Sequence, residues 1–185
     1  MSERLYFDCN ATFGPHPRKN AEARWTKEHL IGDMDLAGIA GALVSYTQCV
    51  HYDPMLGNRT LIDLINNDRR RLFPCWVAMP SVSGDFPDVA TFMSELRRND
   101  VRAVRVDAAH FGLPVEVSVW KELRDALLAE NVLVILPINR FDGNFDPTRR
   151  LLRIFDRNKT LLVNHGWGQW RQIVCLMNEF ENLHI

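Results

Sequence analysis

Asn10, Thr12 and His16; Tyr46, Gln48 and His51; Asp107 and His110; Asn139, Arg140 and Asp142; Asn164, His165 and Trp167 each follow directly on a short apolar run. Their side chains suit work on a small polar molecule. An imidazole titrates near neutrality, so it moves protons or binds a metal. An arginine beside an asparagine can hold a carboxylate through two parallel hydrogen bonds. Asn and Thr side chains hydrogen-bond either a polar substrate or the backbone of their own loop. Of the 6 histidines, His29 and His184 alone fall outside these groups.

Each candidate has a structural alternative. His165 stands between an apolar segment and Gly166-Trp167-Gly168. It reads as a strand-end acid, base or metal ligand, or as a hydrogen-bonded structural histidine. Asp107 follows Arg102 and Arg105 and either meets substrate or joins salt bridges. Asn10, Thr12, Asn139 and Arg140 either position substrate or satisfy loops. Trp167 and Trp170 wall a pocket or pack a helix. His16 lies between Pro15 and Pro17, which holds its backbone extended. His51, His110 and His165 could also regroup as a shifted site. Arg69-Arg70-Arg71 reads as a solvated helix end that complements the helix dipole. Gly166 and Gly168 match no dinucleotide or phosphate-loop pattern.

The elements that must position these groups recur regularly. Apolar segments centre near Phe7, Ala42, Cys75, Val104, Val134 and Val163, spaced by about 30 residues, the length of a strand plus a crossover helix. Such segments, rich in β-branched residues and mostly unbroken, suit strands covered on both faces of a parallel sheet. Between them, Val119, Leu123, Ala126 and Leu127 share a helical face. Pro147 opens a helix that runs to Phe155, and Leu61 to Leu72 gives another. Pro80 to Pro87 is a loop rather than a linker. The expectation is one α/β domain over residues 1–185, a TIM-like (β/α) barrel of six to seven units and therefore incomplete. Asn182-Leu183-His184-Ile185 begins the seventh unit. A barrel of eight units takes about 250 residues. The reading frame is expected to run past Ile185 or to have once been longer. If it stops there, a homo-oligomer is expected to cover the exposed edge.

The totals exclude several classes of function. The chain has 185 residues, 46% of them apolar and 24% charged, with a net charge of −1. That balance favours neither nucleic acid nor an anionic membrane as partner. No apolar run is long enough for a membrane span. Cys9, Cys49, Cys75 and Cys175 form no CxxC pair and read as free thiols, mostly buried. A cytoplasmic protein is expected, with a small molecule as its partner.

Phe7-Asp8-Cys9-Asn10-Ala11-Thr12-Phe13-Gly14, Arg71 to Pro80, Val101 to Val106 and Leu161 to Gly168 resemble, in order and over nearly the whole chain, the amidohydrolase superfamily. The branch they are most similar to is the "amidohydrolase 2" group of TIM-barrel metal-dependent hydrolases and decarboxylases. The resemblance implies a hydrolase or decarboxylase for a small polar or carboxylate substrate, with a divalent metal such as zinc at the C-terminal ends of the strands. Its first strand ends Asp-x-His-x-His; Asp8 matches, but Asn10 and Thr12 stand where the two histidines would be. Leu136 or Pro137 stands at the fifth-strand histidine, and the last aspartate would lie beyond residue 185. His165 matches the sixth-strand histidine. It is therefore the implied catalytic acid or base and the one metal ligand carried over. Asn10, Thr12, Asp107, Asn139, Arg140 and Trp167 would position the substrate. The alternative is a catalytically silent homologue that binds a small molecule or serves as a subunit of a complex.

Overall fold

The computed structural model describes residues 5–17, 24–138, 145–164 and 166–185. The chain divides into two compact units, Met1–Val77 and Ala78–Ile185. The first contains β1 (Tyr6–Phe13), α1 (Lys27–Ala37), β2 (Ile39–Tyr46), α2 (Thr47–His51), α3 (Pro54–Ile65) and β3 (Leu72–Val77). The second contains α4 (Val89–Arg98), β4 (Ala103–Arg105), α5 (Val117–Ala129), β5 (Leu133–Pro137), α6 (Asp146–Ile154), β6 (Thr160–Val163), α7 (Trp170–Glu179) and β7 (Leu183–His184). Within each unit the strands run parallel and pair in sequence order. All six expected strands are present, and Leu183–His184 forms the seventh beside β6.

Local chemistry sets the helix starts. Thr26 accepts from the His29 N–H and opens α1. Asp53 accepts from the Leu56 N–H with Pro54 in the first helical position, which opens α3. Asp88 accepts from the Thr91 N–H and opens α4. The helix expected over Leu61 to Leu72 therefore starts seven residues earlier, and a short turn at Asn66–Asp68 separates it from β3. The Asp53-Pro54 start signal outweighs the apolar periodicity further along. In α5 the buried face is Trp120, Leu123 and Leu127, turned slightly from the expected one.

The core of each unit lies between its strands and helices. In the first, Ala42, Val44, Leu61, Ile65, Leu72 and Trp76 are buried; in the second, Phe92, Val104, Trp120, Leu127, Val134, Leu152 and Phe155 are. The four residues of β6 and the three of β4 are all buried, as the unbroken apolar runs require. β1 departs from that pattern, because Tyr6 and Phe7 are exposed at its start. Phe7 packs on the half-exposed ring of Phe73 instead. Arg71 is not a solvated helix-end charge. Its guanidinium lies 2.7 Å from Asp35 and donates to the Ile39 carbonyl at 3.0 Å, tying the end of α1 to the start of β2. Among the described residues, no helix is long and apolar enough to cross a membrane.

Candidate functional site

The first strand reaches its polar end through a bulge. Asp8 pairs with Ala42 and Ala11 with Val44, so β1 carries one extra residue between them. The Asp8 carboxylate accepts from the Asn10 N–H at 2.8 Å, supplying locally the bond the ladder loses there. Simple alternation would set Asp8, Asn10 and Thr12 on one face. The bulge flips that phase, so Asp8 and Thr12 lie on opposite faces. Asn10 ends half-buried and Thr12 exposed.

Beyond Phe13 the chain is held close to the end of β2. Gly14 has φ of 116°, and a Cβ there would meet the Thr47 hydroxyl and the Tyr46 ring at 2.4 Å. Only glycine fits this turn and this approach. The Gly14 N–H donates to the Trp25 carbonyl at 2.7 Å, and the Thr47 hydroxyl donates to the Pro15 carbonyl at 2.8 Å. These bonds fix the loop that carries His16. Its ring sits 5.1 Å, centroid to centroid, from that of His51 at the end of α2.

Two residues before His51 in α2, Cys49 is fully buried, and α3 packs against it through Gly57. Burial pushes the Cys49 thiol up from its ordinary 9.0 to about 12, with the nearby Cys75 acting in the same sense. The unfolded chain releases this proton near 9.0, the folded chain near 12. The contribution to stability is thus complete below the lower value and declines as pH rises toward the upper one. The guanidinium midpoint is expected to fall between pH 8 and 10.5, and to fall less in Cys49→Ala. Equal slopes in the two proteins would contradict this. Cys9 and Cys175, by contrast, are exposed. The expected mostly buried set therefore reduces to Cys49 and Cys75.

In the second unit, the loops after β3 and β4 flank an open cavity of about 330 Å³. Met79, Val82 and Asp85 line it from one loop, and Phe111, Leu113 and Pro114 from the other. Asp107 builds the second wall. Its carboxylate accepts from the His110 N–H at 3.1 Å, and the Leu113 N–H closes the turn onto the Ala108 carbonyl at 2.8 Å. On the first wall the Ser83 hydroxyl donates to the Asp85 carboxylate. The strand-end positions Asp107 and His110 were visible in the sequence. Asp85, Phe111 and Pro114 were not singled out, and the turn-forming Gly84 and Gly112 beside them were the available signal.

Asn139, Arg140 and His165 lie outside the described residues, as does the Trp167 side chain. Asn10 offers an amide, Thr12 an exposed hydroxyl, and Leu136 a buried aliphatic chain. Among the described residues, no three His, Cys, Asp or Glu side chains come together to hold a metal ion. These donors do not fit a catalytic zinc, which takes about three nitrogen, sulfur or carboxylate ligands.

The parallel βα repeat defines a fold of the TIM-barrel class, and solved structures share it. An uncharacterised TIM-barrel protein from Bordetella bronchiseptica superposes with a TM-score of 0.66 at 15% identity, over 86% of this chain and 58% of that one. A probable 2-pyrone-4,6-dicarboxylic acid hydrolase from Acinetobacter baumannii, with citric acid bound, gives 0.62 at 15% identity over the same shares. A 5-carboxyvanillate decarboxylase from Novosphingobium aromaticivorans, solved with manganese and a nitrobenzoic acid, gives 0.65 at 13% identity over 98% of this chain and 75% of that one. The chain thus spans 58% of the length of the first two. No family model matches it, and no curated protein does.

Proposed function

We propose that this chain is an amidohydrolase-type protein that takes a small polar or carboxylate-bearing molecule at the C-terminal ends of its strands and hydrolyses or decarboxylates it. One observation carries the reading. The chain has the fold of solved hydrolases and decarboxylases of this type, a fold that binds ligands at the C-terminal ends of its strands. His165 is the acid or base, while Asn139 and Arg140 hold the carboxylate and Asn10 and Thr12 bind its polar groups. The cavity between the loops after β3 and β4 takes the uncharged part of the ligand. The Asp85 carboxylate there disfavours an anion and favours a hydroxyl or N–H donor.

The second reading is a homologue that binds the small molecule without turning it over, or that serves as a subunit of a complex. The Asn10, Thr12 and Leu136 side chains favour it, because they supply neither imidazole nor carboxylate. A homo-oligomer that covers the exposed Tyr6, Phe7 and Phe73 belongs to either reading, and light scattering showing a clean monomer would remove it.

A panel of lactones, amides and aromatic carboxylic acids separates the two readings. Under the first, turnover of at least one member is expected, with kcat/KM lowered about 100-fold or more in His165→Ala. Under the second, ligands bind saturably and none is consumed. Turnover that His165→Ala leaves intact would remove the role given to that residue.

A further inference from the structure

We propose that His16 and His51 form a two-imidazole site for a divalent transition-metal ion, distinct from the family's metal position and independent of the function proposed above. Their ring centroids are 5.1 Å apart, with planes inclined at 69°. A metal–imidazole bond of about 2.0–2.1 Å in tetrahedral geometry puts two ligand ring centroids about 5.2 Å apart, so the observed spacing, which is also that of an edge-on ring pair, admits one ion between the two imidazoles without moving the backbone. Imidazole is a favoured donor for Zn²⁺, Cu²⁺ and Ni²⁺. Both rings are exposed, so water can fill the remaining coordination positions.

The backbone on both sides is fixed before any metal arrives. His16 is flanked by Pro15 and Pro17, which restrict the chain to extended conformations. The Pro15 carbonyl is bound by the Thr47 hydroxyl at 2.8 Å. Gly14 brings this segment against Tyr46 and Thr47, and no side chain could replace it there. His51 closes α2, whose buried Cys49 lies against Gly57 so tightly that a Cβ would meet the Cys49 backbone nitrogen at 2.4 Å. The Tyr52 and Asp53 N–H groups both donate to the Gln48 carbonyl, which holds the end of that helix. One histidine from a loop and one from the end of α2 are thus held beside each other by elements that cannot easily drift apart. Two protein ligands are one fewer than a resident catalytic metal needs, so the site is one of modest affinity and exchangeable occupancy.

Nickel is the probe, applied to the intact chain after its exposed thiols have been alkylated, since thiolates compete for softer ions. Calorimetric titration is expected to show one saturable Ni²⁺ site per chain, and Ni²⁺ is expected to raise the unfolding temperature. His16→Ala and His51→Ala should each weaken binding at least tenfold and abolish that rise. His16→Gln and His51→Gln should do the same while keeping side-chain size, which guards against a folding defect. His110→Ala and His165→Ala should leave binding unchanged, and the latter separates this site from the acid or base of the proposed function. Absence of saturable binding, or wild-type affinity in any of the His16 and His51 variants, overturns the proposal.

Discussion

Replacing Trp120 by alanine is expected to lower the stability of the fold by about 3–5 kcal/mol, the range for deleting a large buried aromatic ring. Trp120 is completely buried on the inner face of α5. Its ring meets Phe155 edge-on at 6.0 Å, and its indole N–H donates to the Pro114 carbonyl at 2.8 Å. The alanine variant loses the transfer energy of the ring, opens a cavity that the rigid helices cannot close, and leaves that carbonyl without its donor. In a chain of this size each kcal/mol moves the unfolding temperature by about 2–4 °C, so a drop of about 6–20 °C should be seen by calorimetry. Trp120→Phe isolates the hydrogen bond. It keeps most of the apolar surface but frees Pro114, and should cost about 1–3 kcal/mol. Pro114 lines the cavity beside Phe111 and Leu113. The phenylalanine variant should therefore also weaken any ligand held there. A Trp120→Ala protein that melts within 2–3 °C of the wild type would contradict this account.

The residues that made the fold legible in the sequence were the short, unbroken apolar runs. Val132 to Leu136 and Thr160 to Val163 can be little other than strands buried on both faces, and their spacing left room for one helix each. Helix boundaries were less legible where two signals competed. In α3 the Asp53-Pro54 start won over the periodicity around Leu61, because a cap satisfies N–H groups that packing alone leaves open. The bulge in β1 was not readable from residue types. Asp8-Cys9-Asn10 alternates as a regular strand would, and it takes the Asp8 side chain bonding to the Asn10 N–H to show that the alternation breaks.

Site residues were legible by position rather than by partner. Strand-end counting put Asp107 on a functional loop, and the structure adds that its carboxylate is engaged in building that loop. Counting could not pair His16 with His51, which are 35 positions apart in the chain. Their proximity depends on the approach that Gly14 permits to Tyr46 and Thr47. A glycine after a strand is common enough that sequence does not distinguish this one from any other turn.

Asn58 went unnoticed for a related reason, and its replacement should be among the costliest in the chain. It lies on the apolar face of α3 with Gly57, Leu61 and Ile65, and it is fully buried. Its amide donates to the Val77 carbonyl at 2.9 Å while its side-chain oxygen accepts from the Val77 N–H at 2.9 Å. A side chain thus does the work of a neighbouring strand at the last residue of β3. Asn58→Leu keeps the branched heavy-atom shape but leaves a buried N–H and a buried C=O without this partner, at about 1–3 kcal/mol each. Denaturant unfolding should register a loss of about 2–6 kcal/mol with an unchanged m-value. A loss below about 0.5 kcal/mol, typical of a surface change, would show that the pairing does not stabilise the fold. Asn58→Asp gives the sharper test. Its carboxylate still accepts from the Val77 N–H, yet it sets an oxygen against the Val77 carbonyl and places a charge in an apolar interior. Burial raises the pKa of such a group in the folded state. The folded protein then binds the proton more readily than the unfolded chain, so this variant should gain stability relative to wild type as pH falls from 7 toward 5. In the protonated acid the O–H can donate to the Val77 carbonyl and restore the paired geometry. Asn58→Leu has no such group, and its deficit should stay constant over the same range.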